Sequence, residues 1–194
     1  MPEASQIFVI RHAEKPPDPE KDGHGPPPFG VDADGNEDNE SLIPLGWERA
    51  GALVALFADP APPLAKPGAI FASGPNAAKR SKRPEETVEP LAKQLNLDVQ
   101  TEFGFGDEVP LVQEAKQAAE TVLIAWQHEH IPLIANAIMG SPEGIPQHWK
   151  GSRFDLVWVF TRAGDAWDFQ QVPQMLMPGD KDKPLRVDDD ASDD

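Results

Sequence analysis

The chain contains no cysteine. That excludes disulfides, thiolate metal sites and a thiol nucleophile, and leaves histidine as the obvious nucleophile if one is needed. No stretch is long and apolar enough to span a membrane, and the first residues, Met1-Pro2-Glu3-Ala4-Ser5-Gln6, have neither the basic nor the apolar region of a signal peptide. A cytoplasmic location is the expectation. Bases are scarce: 17 Lys and Arg stand against 33 Asp and Glu, a net charge of −16. This balance disfavours nucleic acid and anionic membrane as partners. The acid is unevenly spread, with nine acids against two bases over residues 14–40 and seven against three over residues 180–194. The remainder is only mildly acidic and has room for a basic pocket.

The 194 residues, 39% hydrophobic and 26% charged, suit one soluble domain with a sizeable core. Ile7 to Ile10 is a short β-branched run with no space for a helix before it, and it reads as a buried strand. A Pro/Gly/Asp-rich segment at about 15–41 follows, with little periodicity; a loop of that length in a compact domain is expected to be a rim or lid. Its Asp32-Ala33-Asp34-Gly35-Asn36-Glu37-Asp38-Asn39-Glu40 run resembles a calcium loop, but the glycine comes too early for the register and no flanking helices are evident, so a solvated acidic loop is expected. Pro44 opens a helix whose stripe includes Trp47, Ala50, Leu53 and Phe57 and which ends at Asp59-Pro60.

Further strands are expected at Gly68 to Ala72, near Asn96 to Thr101, and at Thr121 to Trp126. Helices are expected over Pro84 to Leu95, Leu111 to Ala119 and Ile131 to Met139. Phe154 to Thr161 and Asp165 to Val172 read as a hairpin turning at Ala163-Gly164. The order predicts an α/β protein: a three-layer α/β/α sandwich with a mostly parallel central sheet and an antiparallel edge hairpin. Residues 1–179 are expected to form a single domain carrying the acidic insertion, and residues 180–194 an acidic, flexible tail.

In such a sheet ligands bind at the carboxyl ends of the strands. Those ends carry Arg11-His12, then Ser73 followed by the basic cluster Lys79-Arg80-Ser81-Lys82-Arg83, then His128-Glu129-His130. Arginine forks match phosphoryl oxygens, and two arginines with two histidines make a pocket for a dianion. The ordered set of Arg11-His12, the Leu45-Gly46-Trp47-Glu48-Arg49-Ala50 helix start, Ser73, Arg83 with Thr87, and a late strand ending in His128 resembles the histidine phosphatase superfamily, the phosphoglycerate mutase-like group. The resemblance covers nearly the whole chain.

The resemblance implies a phosphomonoesterase in which His12 is the nucleophile of a phosphohistidine intermediate and Arg11, Arg83 and His128 bind the phosphoryl oxygens. Covalent catalysis divides one hard displacement into two easier steps, and fixed positive charge stabilises the equatorial oxygens. Arg83 is preferred to Arg80 because its spacing to Thr87 matches the family's; Lys79, Arg80 and Lys82 fit a solvated patch. The proton donor comes either from the mid-chain loop, as Glu108 or Asp107, or directly after the second histidine, as Glu129. Glu108 is favoured, since alternation along an extended chain turns Glu129 away from His128 unless the strand has already ended there. Glu14 is a third candidate, able instead to bind a substrate hydroxyl or to pair with Lys15; Glu14, Lys15, Ser73 and Glu129 are the expected substrate contacts. No metal or other cofactor is implied, and the expected partner is a small phosphorylated substrate.

Departures from the family's pattern bear on the activity. Ala13 stands where the family has glycine, and Ala13-Glu14-Lys15-Pro16 lacks the serine and asparagine with which phosphoglycerate mutases hold substrate. A phosphatase is therefore favoured over a mutase. The alternatives are a metal-dependent hydrolase built on the His128/His130 pair, which the arginines oppose by repelling a cation, and a non-catalytic module that binds a phosphorylated ligand.

Overall fold

A computed structural model describes residues 3–188 of the chain. Six strands, β1 (Gln6–Arg11), β2 (Ala69–Ala72), β3 (Val99–Gln100), β4 (Thr121–Trp126), β5 (Leu156–Ala163) and β6 (Ala166–Pro173), form one sheet in the order β3-β2-β4-β1-β5-β6. The first four are parallel and the β5–β6 hairpin adds antiparallel to β1. This is the expected three-layer α/β architecture with an antiparallel edge. Helices α1 (Pro44–Ala58) and α2 (Arg83–Leu95) cover one face, and α3 (Glu108–Ala118) and α4 (Ile131–Met139) the other.

Because both faces are covered, the interiors of the central strands, Ile7 to Ile10 and Val122 to Trp126, are apolar without alternation. Ile7 and Val9 of β1 pack with Leu111, Ala115 and Ile134 on the α3/α4 side, whereas Phe8 and Ile10 pack with Leu53, Phe57 and Leu91 on the α1/α2 side. The hairpin turns through Gly164-Asp165, where Gly164 has φ of +64°, a backbone region that favours glycine. Helix α3 begins three residues before the periodic stripe that marks it. Glu108 in its first turn folds its carboxylate back to accept from the Gly106 N–H at 3.0 Å, a contact that no hydrophobic period reports.

The segment expected to be a flexible tail is held over its first part. Asp180 is gripped by Arg49 at 2.7 Å, the Lys183 carbonyl accepts from Arg153 at 2.9 Å, and Leu185 is buried with its backbone N–H and carbonyl both bonded to Gln171. The rest of that segment, residues 189–194, lies outside the described residues. No helix among the described residues is long and apolar enough to cross a membrane.

Candidate active site

The register of the parallel strands brings three chain exits to one edge. Arg11 is level with Trp126, and Ala72 with Ala125. The next residues extend the ladder, with the His12 N–H bonded to the Trp126 carbonyl at 3.0 Å and the Ser73 N–H to the Ala125 carbonyl at 3.1 Å.

His12 is buried, and its Nδ1 lies 2.7 Å from the Ala13 carbonyl. A carbonyl only accepts, so Nδ1 carries the proton and Nε2 presents its lone pair. Burial, then the charges of Arg11 and Arg83, hold the His12 imidazole well below the usual histidine range, so the ring is neutral at pH 7. Thr87 connects this loop to helix α2: its Oγ1 accepts from the Ala13 N–H at 2.8 Å and donates to the Arg83 carbonyl at 2.6 Å. One hydroxyl thereby fixes the residue after the histidine against the residue that opens α2.

Arg11, expected on the phosphoryl oxygens, lies buried and is not among the cavity walls. Its guanidinium stacks on Phe154 at 3.8 Å, and Nη1 donates to the Arg153 carbonyl at 3.1 Å and also to that of Gly151. Arg83 is half-buried and held by the acidic loop, donating through Nε to the Ser41 carbonyl at 3.2 Å and through Nη2 to that of Asn39.

A cavity of about 420 Å³ opens in front of His12, a volume in the range of small-molecule sites. His128, Glu129, Arg83, Lys79 and Lys15 line it, and the loop after His12 walls it with Pro16, Pro17, Pro19, Pro26, Lys21 and Asn39. Of the expected site residues, the structure therefore brings His12, Arg83, His128, Lys15 and Glu129 to one cavity. His128 Nδ1 is 3.1 Å from a Glu129 carboxylate oxygen, and Lys79 Nζ is 3.0 Å from the other. Burial pushes the His128 imidazole down, against the pull of Glu129. Burial opposes the charge of Glu129, but the contacts to His128 and Lys79 outweigh it and hold the carboxyl far below the usual range.

Glu129 is a correction to the strand-alternation argument. Strand β4 stops at Trp126, and residues 128–130 form a turn closed by the His130 N–H on the Gln127 carbonyl at 3.1 Å. The turn carries the Glu129 carboxylate round to His128 instead of away from it. The opposite holds for Glu108, which does not line the cavity. It is buried at the start of α3, accepting from Trp126 Nε1 at 3.0 Å and lying 2.6 Å from His130 Nδ1. Asp107, also in that loop, is exposed and accepts from the Gly104 N–H.

Glu14 pairs neither with Lys15 nor with the cavity. Its carboxylate takes three hydrogen bonds from Arg49 Nε and Nη2, the shortest at 2.7 Å, while Lys15 reaches Asp22 at 3.5 Å. Ser73 is fully buried with no hydrogen-bond partner for its hydroxyl and is not among the cavity walls. His130 stacks on Phe105 with ring centroids 3.6 Å apart and turns to Glu108, away from His128. Among the described residues no group of three or more His, Asp and Glu is arranged to hold a metal ion.

Sequence reasoning did not single out Lys21 or Arg49. A signal for Lys21 was present, since Lys15 and Lys21 are the two bases in a stretch of nine acids, and both line the cavity. In the basic cluster, Lys79 belongs to the cavity, Lys82 reaches Asp38 of the acidic loop at 2.6 Å, and Arg80 is exposed. The Asp32 turn forms as a solvated loop in which the carboxylate accepts from the Asp34 and Asn36 N–H groups.

No family model matches the sequence, and no curated protein matches it. Solved structures do match in fold. A mycobacterial glucosyl-3-phosphoglycerate phosphatase is 12% identical with a TM-score of 0.55, covering 86% of this chain and 97% of its own. The protein histidine phosphatase SixA, solved with tungstate, is 13% identical with a TM-score of 0.51, covering 87% of this chain and 97% of its own. A mutant phosphoserine phosphatase from Entamoeba histolytica, solved with phosphoserine, is 10% identical with a TM-score of 0.52, covering 84% and 94%. The chain thus has the fold of the histidine phosphatases from near one end to the other.

Proposed function

We propose that this chain is a phosphomonoesterase that works through a phosphohistidine on His12. The observation that carries the reading is the state of His12: a neutral ring with its proton on Nδ1 and its Nε2 lone pair available beside a cavity lined by Arg83 and His128. In the first step Nε2 bonds to phosphorus while the ester P–O bond breaks, and the leaving oxygen takes a proton. In the second, water attacks the phosphohistidine, the P–N bond breaks and inorganic phosphate leaves. Arg83 and His128, with Arg11 behind the nucleophile, offset charge on the equatorial oxygens in both steps.

Glu129 is the proton donor in this reading, in place of Glu108. It faces the cavity 3.1 Å from His128, whereas Glu108 is committed to Trp126 and His130. Glu129 is ionised in the free protein, and the phosphoryl dianion that enters beside it opposes that charge, so the complex takes up one proton on its carboxyl. The same group as a carboxylate takes the proton of the attacking water in the second step.

Leaving-group chemistry tests this. Wild-type protein is expected to hydrolyse both a nitrophenyl and a simple alkyl phosphate. Glu129→Gln is expected to lose ~10²-fold or more in kcat/KM on the alkyl ester and less than about tenfold on the nitrophenyl ester, whose leaving oxygen needs no proton. Equal losses on the two esters would remove Glu129 as the donor, and no wild-type turnover of either would remove the phosphatase reading.

The state of His12 is checked separately by a nitrogen-15 NMR titration of the free protein. Burial and neighbouring cations disfavour the imidazolium, so the ring stays neutral as pH falls through 6.5 and protonates only below it. The expected spectrum shows an Nδ1–H tautomer at neutral pH with a midpoint under 6.5. A midpoint at or above 6.5, or the proton on Nε2, would contradict the nucleophile assignment.

A further inference from the structure

The cavity holds more positive charge than one phosphoryl group uses. Its wall carries four cations, Lys15, Lys21, Lys79 and Arg83, and two anions, Asp18 and Glu129, in a protein of net charge −16, with the Arg11 guanidinium buried just behind His12. Concentrating cations here costs Coulomb energy unless an anion occupies the site. A phosphoryl dianion against Arg83 and Lys15, with the Arg11 charge behind His12, leaves Lys21 and Lys79 unaccounted for. Those two lysines come from separate segments, the loop after β1 and the basic cluster after β2. Among the described residues they share one carboxylate, that of Glu129, at 3.9 and 3.0 Å.

The placement of the acidic loop points the same way. Glu20, Asp34 and Glu37 are exposed, while both of the loop's bases line the cavity. Of the nine acids over residues 14–40 only Asp18 shares that wall, so the segment brings both of its bases and one of its acids to the cavity. The lysines are also reachable, with side chains 61% exposed for Lys21 and 34% for Lys79, so a ligand anion can meet them without rearrangement of the wall.

We infer that the substrate is a small phosphomonoester bearing a second anionic group, a carboxylate or a second phosphate, which Lys21 and Lys79 hold at the mouth of the cavity. This deepens the phosphomonoesterase reading and rests on it. In the free protein Glu129 stands in for that second anion. When the substrate's own anion takes the two lysines, Glu129 is released from them toward His128 and the ester oxygen, so recognition of the second charge is coupled to preparation of the proton donor. An ester with an uncharged body must draw Glu129 from Lys79 without that help, and reacts more slowly for it.

Binding measured without turnover tests this independently of the phosphatase reading. Calorimetry on His12→Ala at low ionic strength would compare propyl phosphate with phosphoglycolate, which adds a carboxylate, and with propane-1,3-diol bisphosphate, which adds a phosphate. At least one of the two doubly anionic ligands is expected to bind about tenfold or more tighter than propyl phosphate, with the advantage shrinking as salt is raised. Which of them does so identifies the second group. Lys21→Met and Lys79→Met, each made in the His12→Ala background, are expected to reduce that ratio to about threefold or less. Equal affinity for all three ligands would overturn the inference even if the wild type hydrolyses aryl phosphates. A ratio that survives in both lysine variants would overturn the assignment to these residues. If the wild type hydrolyses no ester but the ratio holds and falls in the variants, the anion site stands and the phosphatase reading fails.

Discussion

Replacing His12 by alanine is expected to remove at least ~10³-fold of the hydrolysis of a nitrophenyl phosphate while leaving the protein folded. The size of the effect follows from the chemistry. No cysteine can substitute, and the P–N bond of the proposed intermediate forms on His12 itself. The fold should survive because the imidazole makes no side-chain hydrogen bond other than that to its neighbour Ala13, so the variant leaves a small hole and no orphaned partner side chain. Rate and thermal melting measured on the same preparation check both halves. Turnover equal to the wild type would end the nucleophile assignment, and a collapsed melting transition would require His12→Gln in its place. Labelled substrate quenched in base should leave phosphate on wild-type protein and none on the variant, since phosphohistidine survives base and is lost in acid.

The second large effect is on stability. Arg49 of α1 is buried at 3% exposure between two carboxylates, Glu14 beside the nucleophile loop and Asp180 near the chain's end, each reached at 2.7 Å, and its Nη1 also reaches the Gln174 side chain at 3.0 Å. Arg49→Met would strand two largely buried carboxylates without a cation. Breaking a buried pair in that way costs about 3–5 kcal/mol, a large part of the roughly 5–15 kcal/mol that holds a domain folded. The melting temperature is expected to fall by about 10 °C. Arg49→Lys keeps the charge but cannot serve Glu14, Asp180 and Gln174 from one planar fork, and should fall between.

The pH dependence of this loss has a definite sign. Burial opposes the charge of Asp180, yet its bonds to Arg49 and to the Met177 and Leu176 N–H groups hold its carboxyl below the ordinary value. The stabilisation is therefore complete above the unfolded carboxylate range and is lost as pH falls through the lower folded value. The gap in melting temperature between wild type and Arg49→Met should be constant near neutrality and narrow below about pH 4. A variant that melts within 2 °C of the wild type, on the order of the shift from 1 kcal/mol, would mean that the network is not a structural tie.

Much of the fold was legible along the chain because local rules and tertiary packing agreed. Thr121 to Trp126 and Ile131 to Met139 have in the structure the bounds that the apolar runs predict, since both end at polar or glycine signals. The helix start at Leu45-Gly46 also has a physical meaning that the resemblance alone did not supply. A Cβ on Gly46 would lie 2.5 Å from the Glu14 carbonyl, so α1 can approach the residue after Ala13 only at a glycine. The start of α3 was less legible, because a carboxylate folding back on Gly106 leaves no trace in hydrophobic periodicity.

The cavity divides along the same line. His12 and His128 follow strand ends, and a strand that ends in the sequence ends in space at a known edge, so their convergence on the cavity needed only the β-α-β order; Arg11 and Ser73 sit at the same edge but do not line it. Which carboxylate faces that edge was a different kind of question. Strand alternation favoured Glu108 over Glu129, with Glu14 a third candidate, but the choice among them rests on a turn closed after Trp126, on the indole of Trp126 and the ring of His130 capturing Glu108, and on Arg49 capturing Glu14 from 35 residues away. A run of residues encodes where a strand stops. A charge's partner depends on which distant side chain arrives within 3 Å of it, and that is decided only when the sheet and its helices close.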